Sequence, residues 1–210
     1  MAGYYLKDGV TRVPGATTIS GMLDKPFLVK WANKLGKQGI DVTEYTTNAA
    51  KQGTLIHTIC ESHFTKTEVD LSKYNDDEIS KAENSFFKLL PFEKEHSIET
   101  QFCEKAFVSE EYKFCGIVDA YCIIDGKYTV VDFKTSKSIS NEQILQVSSY
   151  IPLMRENGYK VDQLLILCMS KEDNIPFAYK FVSEEESRPY FEIFKCLLDV
   201  YWLKKDLHWD

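Results

Sequence analysis

No apolar run in this chain approaches the roughly eighteen residues that a membrane-spanning helix needs. The opening stretch, MAGYYLKDGVTRVPG, also lacks the apolar segment of a signal peptide. Cytoplasmic residence and no membrane partner are therefore expected. The six cysteines, at 60, 103, 115, 122, 168 and 196, include no C-x-x-C pair. They read as small buried hydrophobes, not as a disulfide framework or a zinc or iron–sulfur site. Positive charge is in deficit, with 25 Lys and Arg against 32 Asp and Glu. That counts against a non-specific polyanion binder, and less against an enzyme whose acids chelate cations. Repeats, low-complexity tracts and linkers are missing as well, so residues 1–210 are expected to form a single domain. A composition of 44% hydrophobic and 27% charged residues is that of a folded chain, not a disordered one.

What is present centres on GIVDAYCIIDGKYTVVDFKTS, residues 116–136. Two apolar strands flank Asp125-Gly126, the strongest short hairpin signal. A two-residue loop pairs Ile124 with Lys127 and, five residues further along each strand, Asp119 with Asp132. Opposed side chains lie about 4.5–5.5 Å apart at Cβ, and like charges there are destabilising. Lys134, two residues beyond Asp132, projects from the same face. That face also carries Ile117, Tyr121, Ile123, Tyr128 and Val130; the other carries Val118, Ala120, Cys122, Val131 and Phe133. Both faces look covered, which puts the hairpin in the middle of a sheet. A wet face would leave two facing carboxylates merely solvated. In a covered place they share a proton or hold a cation, and the cation is the preferred reading.

Around this hairpin the pattern is mixed. Residues 4–13 suggest a strand pair around Asp8-Gly9, and 18–37 a helical stretch interrupted before Pro26. A long helix is expected from Val42 or Thr43 to Phe64, and another from Asp76 to Leu90, ended by Pro91. Strands follow at about 97–108, 112–124 and 127–134. Ser140 to Gln143 is a capping box that opens a helix to about Asn157. VDQLLILCM and FAYKFV read as strands, and Ser183 to about Lys205 as a closing helix. The order predicts an α/β fold with a central mixed β-sheet flanked by helices. Its parts are a helical segment at about 14–92, a sheet core at about 97–182 and the closing helix at about 183–205.

Gly53, His57 and Glu61 are spaced by four, so they share one face of the long helix. A lone histidine is commonly structural, but beside a two-Asp hairpin it becomes a ligand candidate. Gln146 and Tyr150 are again four apart, on the helix that follows Lys134. By themselves they would read as ordinary packing.

GTLIH with Glu61, then GIVD, VDFKT and QVSSY, in that order, resemble the PD-(D/E)XK nuclease superfamily. The closest branch is the RecB-like and phage-type exonucleases. The likeness starts at VPGATTISGMLDKPFLVKWA and ends at Tyr150, about two-thirds of the chain. The resemblance implies a restriction-endonuclease-like core with a βαβ unit. His57, Asp119, Asp132 and the main-chain carbonyl of Phe133 would ligate one or two Mg²⁺ or Mn²⁺ ions. Lys134 would orient or deprotonate the attacking water. Glu61 would support the site or serve a second metal, and Gln146 and Tyr150 would steady Lys134 and the scissile strand. Asp stands at Asp132 where many members have Glu, and the iron–sulfur cysteines of some relatives have no counterpart.

The implied activity is a metal-dependent DNA exonuclease acting on single strands or duplex ends. It would serve recombination, replication or phage DNA processing, in the host cytoplasm if phage-encoded and alongside a recombination or replication protein. An endonuclease and a non-catalytic DNA-binding subunit stay open as alternatives. Carboxylate oxygens favour Mg²⁺ or Mn²⁺, and an imidazole tilts the set toward Mn²⁺. For DNA contacts, Lys30 and Lys34 fall on a basic stripe with Lys37, and Trp31 beside them suits base stacking. The competing reading is a solvated amphipathic helix with Trp31 in the core.

Overall fold

A computed structural model describes residues 3–209. Asp125 and Gly126 both adopt positive φ, 50° and 79°, as a type I′ turn requires. The turn joins β2 (Phe114–Ile124) to β3 (Lys127–Lys134), with Ile124 opposite Lys127 as expected. These strands sit inside a five-stranded sheet of order β1-β2-β3-β4-β5, with β1 at Ile98–Ser109, β4 at Gln163–Cys168 and β5 at Ala178–Ser183. Only β3 and β4 run parallel. A parallel pair needs a crossover, supplied by α6 (Asn141–Ser148) and α7 (Tyr150–Glu156).

Helices cover both faces. Tyr121, Val130, Leu164 and Ile166 pack under α1 (Ala16–Ser20), α6, α7 and α8 (Glu184–Asp206). Cys122, Val131, Phe133 and Leu165 pack under α3 (Val42–Thr65) and α4 (Asp76–Phe87). Double coverage explains why β3 and β4 read as near-continuous apolar runs. The chain is thus α/β with a mixed sheet flanked by helices. No helix among the described residues is long and apolar enough to cross a membrane.

Local chemistry sets the boundaries. Ser140 and Gln143 form the expected capping box at α6. The single helix expected to Asn157 is divided at Ser149, because Pro152 has no N–H for the Ser148 carbonyl. Pro91 does not end α4. It lies in the first turn of α5 (Leu90–Glu95), where a missing donor costs nothing. Residues 4–13 contribute one bridge, Tyr5 to Arg12. The separate α2 (Pro26–Lys37) buries no residue.

Three expectations about the hairpin fail, all at its open end. Asp119 does not pair with Asp132, because the β2–β3 ladder ends at Ala120 and Val131. Ile117 is 42% exposed, not covered. Val118 joins the core of Tyr121, not that of Ala120, so strict alternation breaks at Asp119. Gly116 sits where β2 passes α7: a Cβ there would lie 2.7 Å from Tyr150 Cε1 and 2.9 Å from Leu153 Cδ2. Gly116→Ala is expected to cost about 1–3 kcal/mol by overpacking. Thermal unfolding followed by circular dichroism should show a drop of about 2–4 °C per kcal/mol. Gly36→Ala, at an open helical position, should show no drop.

Candidate metal and catalytic site

The β2–β3 ladder stops at Ala120 and Val131, and beyond it the strands part. The Phe133 N–H is left without a ladder partner and donates instead to Asp119 Oδ2 at 2.7 Å. On the other side of β2, Glu104 lies between two paired residues of β1 with φ 50°, a left-handed conformation unusual for a side-chain-bearing residue. That local twist accompanies the break in alternation at Asp119. From the facing helix, α3 brings in His57. Gly53, one turn earlier, permits the approach: a Cβ there would lie 3.2 Å from Thr135 Oγ1 at the end of β3.

Ligand atoms of His57, Glu104 and Asp119 lie within 4.8 Å of one another. His57 Nδ1 is 3.6 Å from Asp119 Oδ2. Asp132 stands outside that trio. It is 1% exposed, and its Oδ2 lies 2.7 Å from Lys134 Nζ without an aligned hydrogen bond. Lys134 donates to Gln146 Oε1 at 3.2 Å, which fixes which way the amide faces. Gln146 Nε2 then donates to Tyr150 Oη at 3.0 Å and to Thr17 Oγ1 at 3.3 Å. The whole group borders an open cleft of about 910 Å³.

Electrostatics assign the protonation states. Burial, and then the charge of Asp132, push the Asp119 carboxyl well above its ordinary range despite Lys134 and the Phe133 N–H. Burial lowers the pKa of His57 and Lys134 lowers it further, against Asp132 and the Phe133 main chain, so the imidazole stays neutral. Burial alone would lower Lys134, but Asp132 and Asp119 outweigh it and the pKa rises. Lys134 is therefore a persistent ammonium, suited to positioning and charge stabilisation more than to proton abstraction. Burial and the two aspartates raise Tyr150, which stays a phenol. Partial desolvation and Glu61 raise the Glu104 carboxyl.

The structure thus gathers His57, Glu61, Asp119, Asp132, Lys134, Gln146 and Tyr150 around one cleft. Phe133 serves it through its main chain and by an edge-on ring contact with His57, at 5.9 Å between centroids. Glu104, which was not expected there, lies in a close trio with His57 and Asp119, while Asp132 lies against Lys134. Sequence reasoning missed Glu104 because the β1–β2 connection has no two-residue turn to fix register. Lys30, Trp31 and Lys34 do not border this cleft. Lys30 and Lys34 are exposed, and Trp31 is half-buried, edge-on to Tyr45 at 5.8 Å, not in the sheet core.

Two carboxylates and a neutral imidazole make a hard, mostly oxygen donor set that fits a divalent cation. Asp132, buried and without an aligned hydrogen bond at Oδ2, stands beside that set.

No protein-family model matches the chain, and no curated protein does. Among solved structures, that of SSO0001 is similar at 14% identity, over 89% of this chain and 75% of that one. Its TM-score of 0.45 is too low to carry an argument.

Mn²⁺ is expected to raise the melting temperature relative to EDTA, by linkage worth about 2.7 kcal/mol at a hundredfold excess over Kd. Asp119→Asn should abolish that shift. A raised folded pKa means the metal-free protein loses stability as pH climbs above the ordinary carboxyl value of 3.8. In EDTA, then, Asp119→Asn should be more stable than wild type, by a margin larger at pH 8 than at pH 5. Differential scanning calorimetry checks both.

Proposed function

We propose that this protein is a Mg²⁺- or Mn²⁺-dependent nuclease of the PD-(D/E)XK type, hydrolysing DNA from single-stranded or duplex ends. The observation that carries this reading is the split strand pair. It presents Asp119 beside Glu104 of β1 and His57 of α3, with Lys134 against Asp132. The fold supports it through the βαβ unit that returns Gln146 to Lys134.

His57, Glu104 and Asp119 would hold the cation, with Asp132 adding charge behind them. A divalent ion in such a site neutralises phosphate oxygens and generates hydroxide near neutral pH. The remaining work falls to the chain's own groups. Lys134 keeps its proton, so its ammonium orients the nucleophilic water and offsets charge growing on the phosphoryl oxygens. Gln146, bound to Tyr150 and Thr17, holds that ammonium at the mouth of the cleft. The half-buried position of the imidazole keeps it neutral and available as a ligand.

The test uses closed circular plasmid, the same plasmid linearised, and labelled oligonucleotides, each with Mg²⁺, Mn²⁺ or EDTA. Loss of linear DNA with survival of circles is expected. Nicked or cut circles would select an endonuclease. No cleavage with any metal, by a folded protein that still binds DNA, would leave a binding module. Asp132→Asn and Lys134→Ala should each lower the rate by about 10²–10³ or more while the fold persists. Wild-type rates in either variant would contradict the assignment. Lys30→Glu with Lys34→Glu should weaken oligonucleotide binding and flatten its salt dependence, by about 0.7 in slope for each lost phosphate contact.

A further inference from the structure

Two basic residues border the cleft without a role in the chemistry above. Lys171, three residues beyond β4, lines it together with Ala49, Gly53 and Lys134. Its Nζ donates to the Ala49 carbonyl of α3 at 2.8 Å. Burial lowers its pKa, and it forms no ion pair among the described residues. A half-buried ammonium short of counter-charge is costly unless an anion completes it.

The loop bearing Lys171 is firmly tied. Lys88, at the end of α4, donates to the carbonyls of Ser170, Glu172 and Ile175 at 2.9, 2.8 and 3.1 Å. Lys137 pairs with Glu172 at 2.6 Å. The backbone is thus anchored on both sides of Lys171, which a freely solvated surface lysine would not require. Arg12 borders the cleft from the other direction. Its segment lies against the start of β2, where Cys115 N donates to the Pro14 carbonyl at 2.9 Å. Arg12 is exposed and forms no ion pair among the described residues. Since β2 and β4 are the two neighbours of β3, Arg12 and Lys171 flank the Asp132–Lys134 pair.

We propose that Lys171 and Arg12 each bind a backbone phosphate, holding one nucleic-acid strand across the end of the sheet with the bond to be cut between them. This rests on the nuclease reading. Ala49, Ala50 and Gly53 form a small-residue wall of α3, along which such a strand can lie close to the helix.

A labelled single-stranded oligonucleotide in EDTA, titrated by anisotropy across a range of NaCl, tests the contacts without cleavage. Lys171→Met and Arg12→Ala should each weaken binding about tenfold and reduce the slope of log K against log salt by about 0.7. On linear DNA with Mn²⁺, KM should rise while kcat stays within about twofold. Lys171→Arg should restore both. Unchanged affinity and slope in Lys171→Met would overturn the proposal. So would a lower kcat and melting temperature at unchanged slope, which would mark Lys171 as a prop for α3. Should Lys171→Met fail to fold, Arg12→Ala decides, and an unaltered slope there sinks the strand path. Wild type that neither binds nor cuts DNA would fell the nuclease reading and this proposal with it. Wild type that cuts DNA as both variants do would fell this proposal alone.

Discussion

The site depends on one hydrogen bond made where a ladder gives out. Past Ala120 and Val131 the β2 and β3 strands separate, and the Phe133 N–H takes the Asp119 carboxylate in place of a main-chain carbonyl. A side chain used as a ladder bond is held rigidly, because losing it would orphan a buried donor. The same bond holds Asp119 where strands, helix and cleft meet. The break in alternation at that residue and the left-handed Glu104 opposite it are further signs of a sheet opened locally. Bulges and strained backbone of this kind concentrate at functional sites.

Opening the sheet gathers charges that a closed sheet would exclude. Asp119 resists ionisation, Asp132 is paired but poorly aligned, and Lys134 is kept protonated by both. Held without a cation, the cluster is an electrostatic burden on the fold. On the proposed reading a divalent ion would relieve it, and the energy saved would appear as affinity for that ion. The neutral imidazole and the Gln146 hydrogen bonds to Lys134, Tyr150 and Thr17 complete the arrangement around the cleft.

Much of this was legible from residues, and the limits are physical. Asp125-Gly126 fixed the register of β2 against β3, because a type I′ turn leaves no freedom in pairing. The capping box at Ser140 located α6 for the same kind of reason. The i, i+4 spacing put His57 and Glu61 on one helix face, whereas Gln146 and Tyr150 became candidates only through the family resemblance; all four border the cleft. Glu104 was not legible: its place depends on β1 register across a loop without a turn signature, and on a positive φ that no side chain announces. The exposed Ile117 and the inward Val118 escaped for a related reason, since period-two reasoning assumes a strand that stays paired. Pro91 misled because proline both ends one helix and begins another. Trp31 is not in the core that the competing reading gave it: it rests half-buried against Tyr45 on a helix that buries nothing.

Diffraction from crystals soaked in Mn²⁺, with data collected for the metal's anomalous signal, tests the account most directly. A peak bridging Asp119, Glu104 and His57, with Lys134 still against Asp132, is the expected result. An empty trio at saturating Mn²⁺, or an ion bound elsewhere while the two aspartates turn away from each other, would contradict it.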